Sequence, residues 1–359
     1  MKILITTGGS GGHVFPALCV AAELKDQGHE IAFAGAFGNT RNKIEEAGFP
    51  LSPLPTKGLV SKSIKSVLVF FYFMIKSILA AFKVVCQFKP DVVLGFGGYG
   101  SFPIVFSAFI LRCPTIIHEQ NVVLGRANAV LARLVKKVAL SFEETKQYLK
   151  ARKVIVTGYP CRIVRQDFSL SGLYEEFGLR EGYKTIVVLG GSQGSHVVNA
   201  VFLETVVLLK DFARVQVVHV AGVKEHEAVA RKYESFDIPH KVFGFFDEMR
   251  KIYAVADVVV CRAGAGTVVE LAALGLPAVL VPYPYAQGHQ KANAGLLAKT
   301  SAVRVIEEKD LSADSLSAAV FGLIEAAVDK EAVRETRKSI YQSRAVSALA
   351  QAVIEVAKK

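Results

Sequence analysis

The chain has 359 residues, 52% of them apolar, and a formal charge of +11 at pH 7. That length is ample for two domains, and the charge calls for an anionic partner: nucleic acid, a phosphorylated ligand or an acidic membrane surface. Five scattered cysteines (Cys19, Cys86, Cys113, Cys161 and Cys261) lack any Cys-x-x-Cys spacing, which excludes a disulfide framework or structural zinc site and suits a reducing cytosol.

Met1 runs directly into the strand Lys2–Thr6, so no signal peptide is expected. The strand ends in Thr7-Gly8-Gly9-Ser10-Gly11-Gly12-His13, and a helical pattern follows from Val14 to about Gln27. Strand, glycine loop and helix in that order let backbone N–H groups approach an anion at the positive end of a helix dipole. The loop is not the dinucleotide fingerprint: counted from Gly9 and Gly11, the third glycine would fall on Val14. The second strand, Ile31–Ala34, also runs into Gly35 rather than an acid, and no G-x-x-x-x-G-K-[ST] occurs.

Residues 47 to 90 hold six lysines and no acid. From Lys62 to Lys89 the spacing is helical, with Ile64, Leu68, Phe71, Ile75, Leu79, Phe82 and Cys86 on one stripe. Lys62, Lys65, Lys76 and Lys83 are expected on the opposite side. Uncharged residues run only from Ser66 to Ile75, half of what a bilayer span requires. The pattern fits a basic amphipathic helix lying in a lipid interface, or a two-sided core helix with a solvated lysine face.

Asp91–Leu94 is the next strand, followed by a second glycine loop, Gly95-Phe96-Gly97-Gly98-Tyr99-Gly100-Ser101, and a helix to about Leu111. The strand Thr115–Ile117 delivers His118-Glu119-Gln120-Asn121 to a sheet edge where open α/β sheets bind ligands. The alternation reaches the strand Val154–Val156 and pauses near Gly158-Tyr159-Pro160, which places a domain boundary at about 160–164. It restarts at Thr185–Leu189 with a third glycine loop, Gly190-Gly191-Ser192-Gln193-Gly194-Ser195. Residues 257 to 291 are the richest stretch: a buried strand, Val258–Val260, then Arg262-Ala263-Gly264-Ala265-Gly266-Thr267 and a helix stopped by Gly275 and Pro277. Glu270 lies a turn into that helix, where a carboxylate can accept from the vicinal hydroxyls of a sugar. The strand Ala278–Val281 brings Gln287-Gly288-His289-Gln290 to the same edge. A phosphate cradle, a diol acceptor and a polar loop together point to a nucleotide-sugar site. The last residues, 330–359, are helical in pattern. The whole reads as α/β, two doubly wound Rossmann-like domains facing across a cleft: residues 1–162, onto which a C-terminal helix at about 345–359 packs back, and residues 163–344.

The motifs GGSGGHVFPAL, KPDVVLGFGGY, HEQN, VTGYPCR, GGSQGS, DVVVCRAGAGTVVE and GHQKANA occur in this order over nearly the whole chain. Together they resemble the bacterial MurG family of N-acetylglucosaminyltransferases. That resemblance implies the GT-B fold, with UDP-GlcNAc bound by the C-terminal domain and the lipid acceptor by the N-terminal one. The implied reaction moves N-acetylglucosamine to the 4-hydroxyl of undecaprenyl-pyrophosphoryl-MurNAc-pentapeptide (lipid I), with inversion, at the cytoplasmic face of the inner membrane. Carried over residue by residue, donor contacts fall on Ser10, Gly11, Gly12, Asn121, Arg162, Ser192, Gln193, Phe246, Ala265, Gly266, Thr267, Val268, Val269, Glu270 and Gln290. The acceptor diphosphate falls on Gly9, Gly97 and Gly98, and a membrane patch on Leu68, Tyr72, Ile75, Ile78 and Phe109.

His13 is the candidate general base, because a neutral imidazole can take a hydroxyl proton near pH 7. The alternative is a histidine that only orients the acceptor phosphate, with His118 and Glu119 as substitute bases. With no Asp-x-Asp motif to hold an ion on the diphosphate, no obligate metal or cofactor is expected. The expected partners are UDP-GlcNAc, lipid I, an anionic phospholipid surface and other cell-wall synthesis and division proteins, but not nucleic acid. The rival readings are another GT-B UDP-sugar transferase with a lipid acceptor, a UDP-sugar epimerase of the same fold, and a non-catalytic cell-wall scaffold.

Overall fold

A computed structural model describes residues 1–57, 63–150, 153–161, 168–191, 194–209, 214–285, 288–326 and 330–358. Arg162, Ser192, Gln193 and Lys62 lie outside these residues. The chain divides into two compact units, Met1–Arg162 with Gln342–Lys359, and Ile163–Tyr341.

The first unit holds seven strands: β1 Lys2–Thr7, β2 Glu30–Gly35, β3 Leu51–Pro53, β4 Val92–Gly95, β5 Thr115–Glu119, β6 Lys137–Leu140 and β7 Val154–Val156. They pair in parallel in the order β3-β2-β1-β4-β5-β6-β7. The second holds β8 Lys184–Leu189, β9 Val215–Val220, β10 His240–Phe243, β11 Val258–Cys261, β12 Ala278–Leu280 and β13 Val303–Val305. Their order is β10-β9-β8-β11-β12-β13, again parallel. Ile3, Leu4 and Ile5 are buried in succession, as are Val258, Val259 and Val260. Strands covered on both faces have no solvent side to write an alternation into the sequence. The strand order reverses at β1/β4 in one unit and β8/β11 in the other. Open α/β sheets bind ligands outside the carboxyl ends of the strands at such points.

The helix Gly11–Asp26 and the C-terminal helix Ala345–Lys358 bury Val14, Ala17, Val20, Leu349 and Val353 against one face of the first sheet. The residues after 330 form two helices, not one continuous one: Lys330–Ile340 falls in the second unit and Ala345–Lys358 in the first. The chain therefore crosses between units twice.

The helix Ile64–Phe88 lies on the other face, with its apolar stripe exposed as the lipid-interface reading expects and its lysines placed differently from that expectation. Its buried positions are Ser77, Ala81 and Val85, one per turn, and the Ser77 hydroxyl donates to the Pro55 carbonyl at 3.0 Å. Small residues let the helix sit close to the sheet. The apolar stripe faces outward instead, with Ile64 81%, Leu68 64%, Ile75 59% and Leu79 65% exposed. At about 100° per residue, Lys65, Lys76 and Lys83 flank this stripe roughly a quarter turn away and are not opposite it. By length and composition this 25-residue helix could cross a membrane, yet Ala81 and Val85 belong to the core of the first unit.

Each unit contains one histidine buried completely in neutral form. Burial pushes His118 down to about 4 and His219 down to about 3. Since unfolding returns each to the ordinary value near 6.5, the unfolded state binds the extra proton between the two values. Stability is thus retained above about pH 6.5 and lost as pH falls through that window. Urea unfolding at pH 5 is expected to cost each unit on the order of 2 kcal/mol relative to pH 7. His118→Gln should flatten this slope in the first unit only.

Candidate active site

In the first unit the switch point is built from two glycine loops in contact. A Cβ on Gly98 would lie 2.8 Å from the Gly8 Cα, and Gly98 has φ +79°, so only glycine fits there. The loops can then approach backbone to backbone. A Cβ on Gly8 would also meet His13 Cδ2 at 3.1 Å, which puts the imidazole against the paired loops. Gly97 shares the left-handed conformation at φ +80°, and Gly9 packs on the 36–38 backbone.

The helix begins at Gly11 rather than Val14, with Ser10 in extended conformation as its cap. Ser10 makes no side-chain capping bond, while its carbonyl accepts from the amides of His13 at 3.0 Å and Val14 at 3.1 Å. His13 therefore sits in the first helical turn, not in the loop, and is half-buried. Its Nδ1 lies 3.0 Å from Gln120 Oε1.

Of the four residues His118 to Asn121, three are unavailable to a ligand. His118, Glu119 and Gln120 are at most 2% exposed. One oxygen of the Glu119 carboxylate accepts from the Asn121 amide and side chain, the other from the Gly125 amide and Asn128. With every lone pair directed into the loop and helix that follow, Glu119 is a scaffold and not a substitute base. His118 is likewise enclosed. Asn121 is half-buried, and its carbonyl accepts from the Thr145 hydroxyl at 3.2 Å.

The second unit places its motifs around β8/β11. Arg262, at the carboxyl end of β11, donates through Nε and Nη2 to Ser195 Oγ at 3.1 and 2.8 Å and through Nη1 to the Val281 carbonyl at 3.2 Å. Its guanidinium thus joins the ends of β11 and β12 to the start of the helix His196–Leu209. Nη2 also forms an ion pair with Glu308 without hydrogen-bond alignment. Sequence reasoning passed over Arg262 as a loop residue; an arginine ending a buried strand just before the glycine-rich turn 264–266 was the available signal.

The helix Ala265–Leu274 starts after Gly264 with no side-chain cap, so its first amides, on Ala265, Gly266 and Thr267, have no partner inside the helix. Val268 and Val269 are buried beneath them. Glu270 Oε2 accepts from the Tyr253 hydroxyl at 2.8 Å, and Oε1 takes no hydrogen bond among the described residues. Burial raises the Glu270 carboxyl above its ordinary range, and the Tyr253 bond partly offsets this. Tyr253 comes from the short helix Met249–Ala254 and carries no sequence mark of its role. Gln290 Oε1 accepts from the amides of Ala263 at 3.2 Å and Tyr283 at 2.9 Å. Since backbone amides only donate, the carboxamide is oriented with its NH2 end directed away from these two amides. Phe246 packs its ring on Phe243 at 4.6 Å and Phe177 at 5.8 Å. Leu68, Tyr72, Ile75 and Phe109 are exposed on the first unit, and Ile78 is partly so.

Comparisons with known proteins agree with the two parallel α/β units. Residues 3–140 match the glycosyltransferase family 28 N-terminal domain and residues 185–351 the C-terminal domain. A Coxiella burnetii protein named UDP-N-acetylglucosamine–N-acetylmuramyl-(pentapeptide) pyrophosphoryl-undecaprenol N-acetylglucosamine transferase is 37% identical over 88% of this chain and 87% of its own. The protein of that name from Anaeromyxobacter sp. (strain K) is 33% identical over 100% and 94%. The crystal structure of Acinetobacter baumannii MurG superposes with a TM-score of 0.74 at 27% identity, covering 99% of both chains. A UDP-GlcNAc 2-epimerase from Neisseria meningitidis, at TM-score 0.69 and 14% identity over 99% of this chain and 100% of its own, shares the fold alone. The chain belongs to glycosyltransferase family 28 and, within it, to the MurG N-acetylglucosaminyltransferases, with their GT-B fold.

Proposed function

We propose that the chain transfers N-acetylglucosamine from UDP-GlcNAc to the 4-hydroxyl of the N-acetylmuramoyl sugar in undecaprenyl-pyrophosphoryl-MurNAc-pentapeptide, inverting the anomeric centre in one displacement. The observation that carries this is the 37% identity across 88% of the chain to a transferase of that name. The geometry gives each part a role. As the C1–O bond to UDP breaks, charge collects on the β-phosphate. The uncapped amides at Ala265 to Thr267 and the positive end of that helix are suited to hold it. Glu270 Oε1 accepts from a ribose hydroxyl, and the Gln290 NH2 donates to the sugar. The resemblance adds Ser10, Gly11, Gly12 and Asn121 to the donor contacts, together with Arg162, Ser192 and Gln193, which lie outside the described residues. The paired loops at Gly9, Gly97 and Gly98 receive the acceptor diphosphate beside His13, the general base.

The outward stripe on Ile64–Phe88, with Phe109, rests on the lipid headgroups at the cytoplasmic face, where the polyprenyl chain of the acceptor is anchored. Helix dipole and backbone amides neutralise the diphosphate without a divalent ion.

The test is UDP release from UDP-GlcNAc in EDTA, with and without a soluble lipid I analogue. Release only with the analogue is expected. Isomerisation of the donor with no acceptor present would mean an epimerase, and loss of all donor binding in EDTA would mean a metal-dependent site. Glu270→Ala is expected to weaken UDP and donor binding by one to two powers of ten, because a charge-assisted hydrogen bond is worth about 1.5–3 kcal/mol. Tyr253→Phe should give a smaller loss in the same direction. Isothermal titration with UDP reads both; unchanged affinity in Glu270→Ala would remove that residue from the site.

A further inference from the structure

The hydrogen bonding around His13 determines which of its ring nitrogens carries the hydrogen. His118 Nε2 lies 3.1 Å from the Gly158 carbonyl oxygen. A carbonyl only accepts, so Nε2 holds the hydrogen and His118 Nδ1 keeps its lone pair. That lone pair faces Gln120 Nε2 at 3.1 Å, and the same amide nitrogen lies 3.1 Å from the His118 carbonyl oxygen. Two acceptors thus hold the NH2 end of the carboxamide toward His118. Gln120 Oε1 must then face His13 Nδ1, 3.0 Å away. A carboxamide oxygen also only accepts, which puts a ring hydrogen on His13 Nδ1 and, in the neutral imidazole, the lone pair on Nε2.

The series starts from a rigid anchor. Gly158 has φ +83°, and a Cβ there would lie 2.8 Å from Gln342 Cβ, so its carbonyl is held by a close contact only glycine allows. His118 and Gln120 are 0% and 2% exposed. Burial also keeps His118 neutral, so the order of donors and acceptors is preserved at physiological pH.

We propose that His118 and Gln120 are positioning residues that hold His13 in its Nδ1–H tautomer, leaving an unprotonated Nε2 for the acceptor hydroxyl. This rests on the reading of His13 as general base. In the step it serves, the hydroxyl oxygen bonds to C1 while the C1–O bond to UDP breaks. The bonding pair leaves with the β-phosphate oxygen, and the hydroxyl proton passes to His13 Nε2. The hydrogen on Nδ1 stays with Gln120 throughout, and the carboxamide takes up no proton. The series fixes a tautomer; it does not relay charge.

The test is NMR of the full chain with histidine rings labelled in heavy nitrogen, the His13 signals assigned by their loss in His13→Ala. The expected spectrum has His13 protonated at Nδ1 and unprotonated at Nε2. Gln120→Leu should give a mixture of tautomers and lower kcat by about 10–100-fold, in the range seen for outer-shell partners, with the UDP-GlcNAc KM unchanged. A merely structural Gln120 would not move the tautomer. A ring hydrogen on His13 Nε2 in the parent protein, or unchanged tautomer and kcat in Gln120→Leu, would overturn the positioning role and leave the base assignment intact. Full turnover in His13→Ala would overturn the base assignment and the positioning role with it.

Discussion

Replacing His13 by alanine is expected to lower kcat by about 10²–10⁴ while leaving the affinity for UDP-GlcNAc close to that of the parent, the range for loss of a positioned general base. The imidazole lies against the contact between the two glycine loops of the first unit. His118 and Glu119, the substitutes suggested by sequence, are buried and fully engaged in scaffolding. A base is needed only as the acceptor hydroxyl loses its proton, so the loss should appear in kcat and kcat/KM alike. If the effect instead falls on the acceptor KM alone, His13 orients the diphosphate and water or another group takes the proton. Single-turnover measurement with saturating donor and a soluble acceptor analogue separates the two.

Much of this site was legible because its parts are local. A buried parallel strand, a glycine loop and a helix start occupy about fifteen consecutive residues and recur at Lys2, Lys184 and Val258, so the phosphate cradles could be found without any tertiary knowledge. The partners that orient the side chains are not local. Gln120 stands 107 residues from His13. Tyr253 reaches Glu270 only because a short helix packs beside the one after β11, and nothing in its sequence surroundings separates it from an ordinary core tyrosine. The first turn at Gly11 was misjudged by three residues because two adjacent glycines are poor helix formers, and the reversal at β1/β4 overrides that preference. The face by which Ile64–Phe88 meets the sheet was not legible for another reason. Hydrophobic periodicity shows that a helix has an apolar face; it does not show that the sheet chooses a different one, made of Ser77, Ala81 and Val85.

That choice of face gives the second large effect. Because the small residues face the sheet, Leu68, Phe71, Tyr72, Ile75 and Leu79, each more than half exposed, form a continuous apolar strip. Lys65, Lys76 and Lys83 run along its edge, and the Lys76 ammonium sits 4.9 Å from the centre of the Tyr72 ring. An apolar strip beside a line of cations suits a surface that is greasy below and anionic above. Each lysine near such a surface contributes about 1 kcal/mol, and reversal adds repulsion of similar size. Lys65→Glu, Lys76→Glu and Lys83→Glu combined should therefore cost roughly 3–6 kcal/mol, or about 10²–10⁴ in partitioning onto phosphatidylglycerol vesicles at low salt. In the parent, salt should weaken binding toward a floor set by the apolar strip, since screening acts on the lysines alone. The triple variant should start near that floor and respond little to salt, while turning over a soluble acceptor analogue at the parent rate, because none of the three lysines lies at the β1/β4 edge. Vesicle cosedimentation across a salt series reads both quantities. Equal partitioning of variant and parent at low salt would mean that this strip is covered by something other than an anionic membrane.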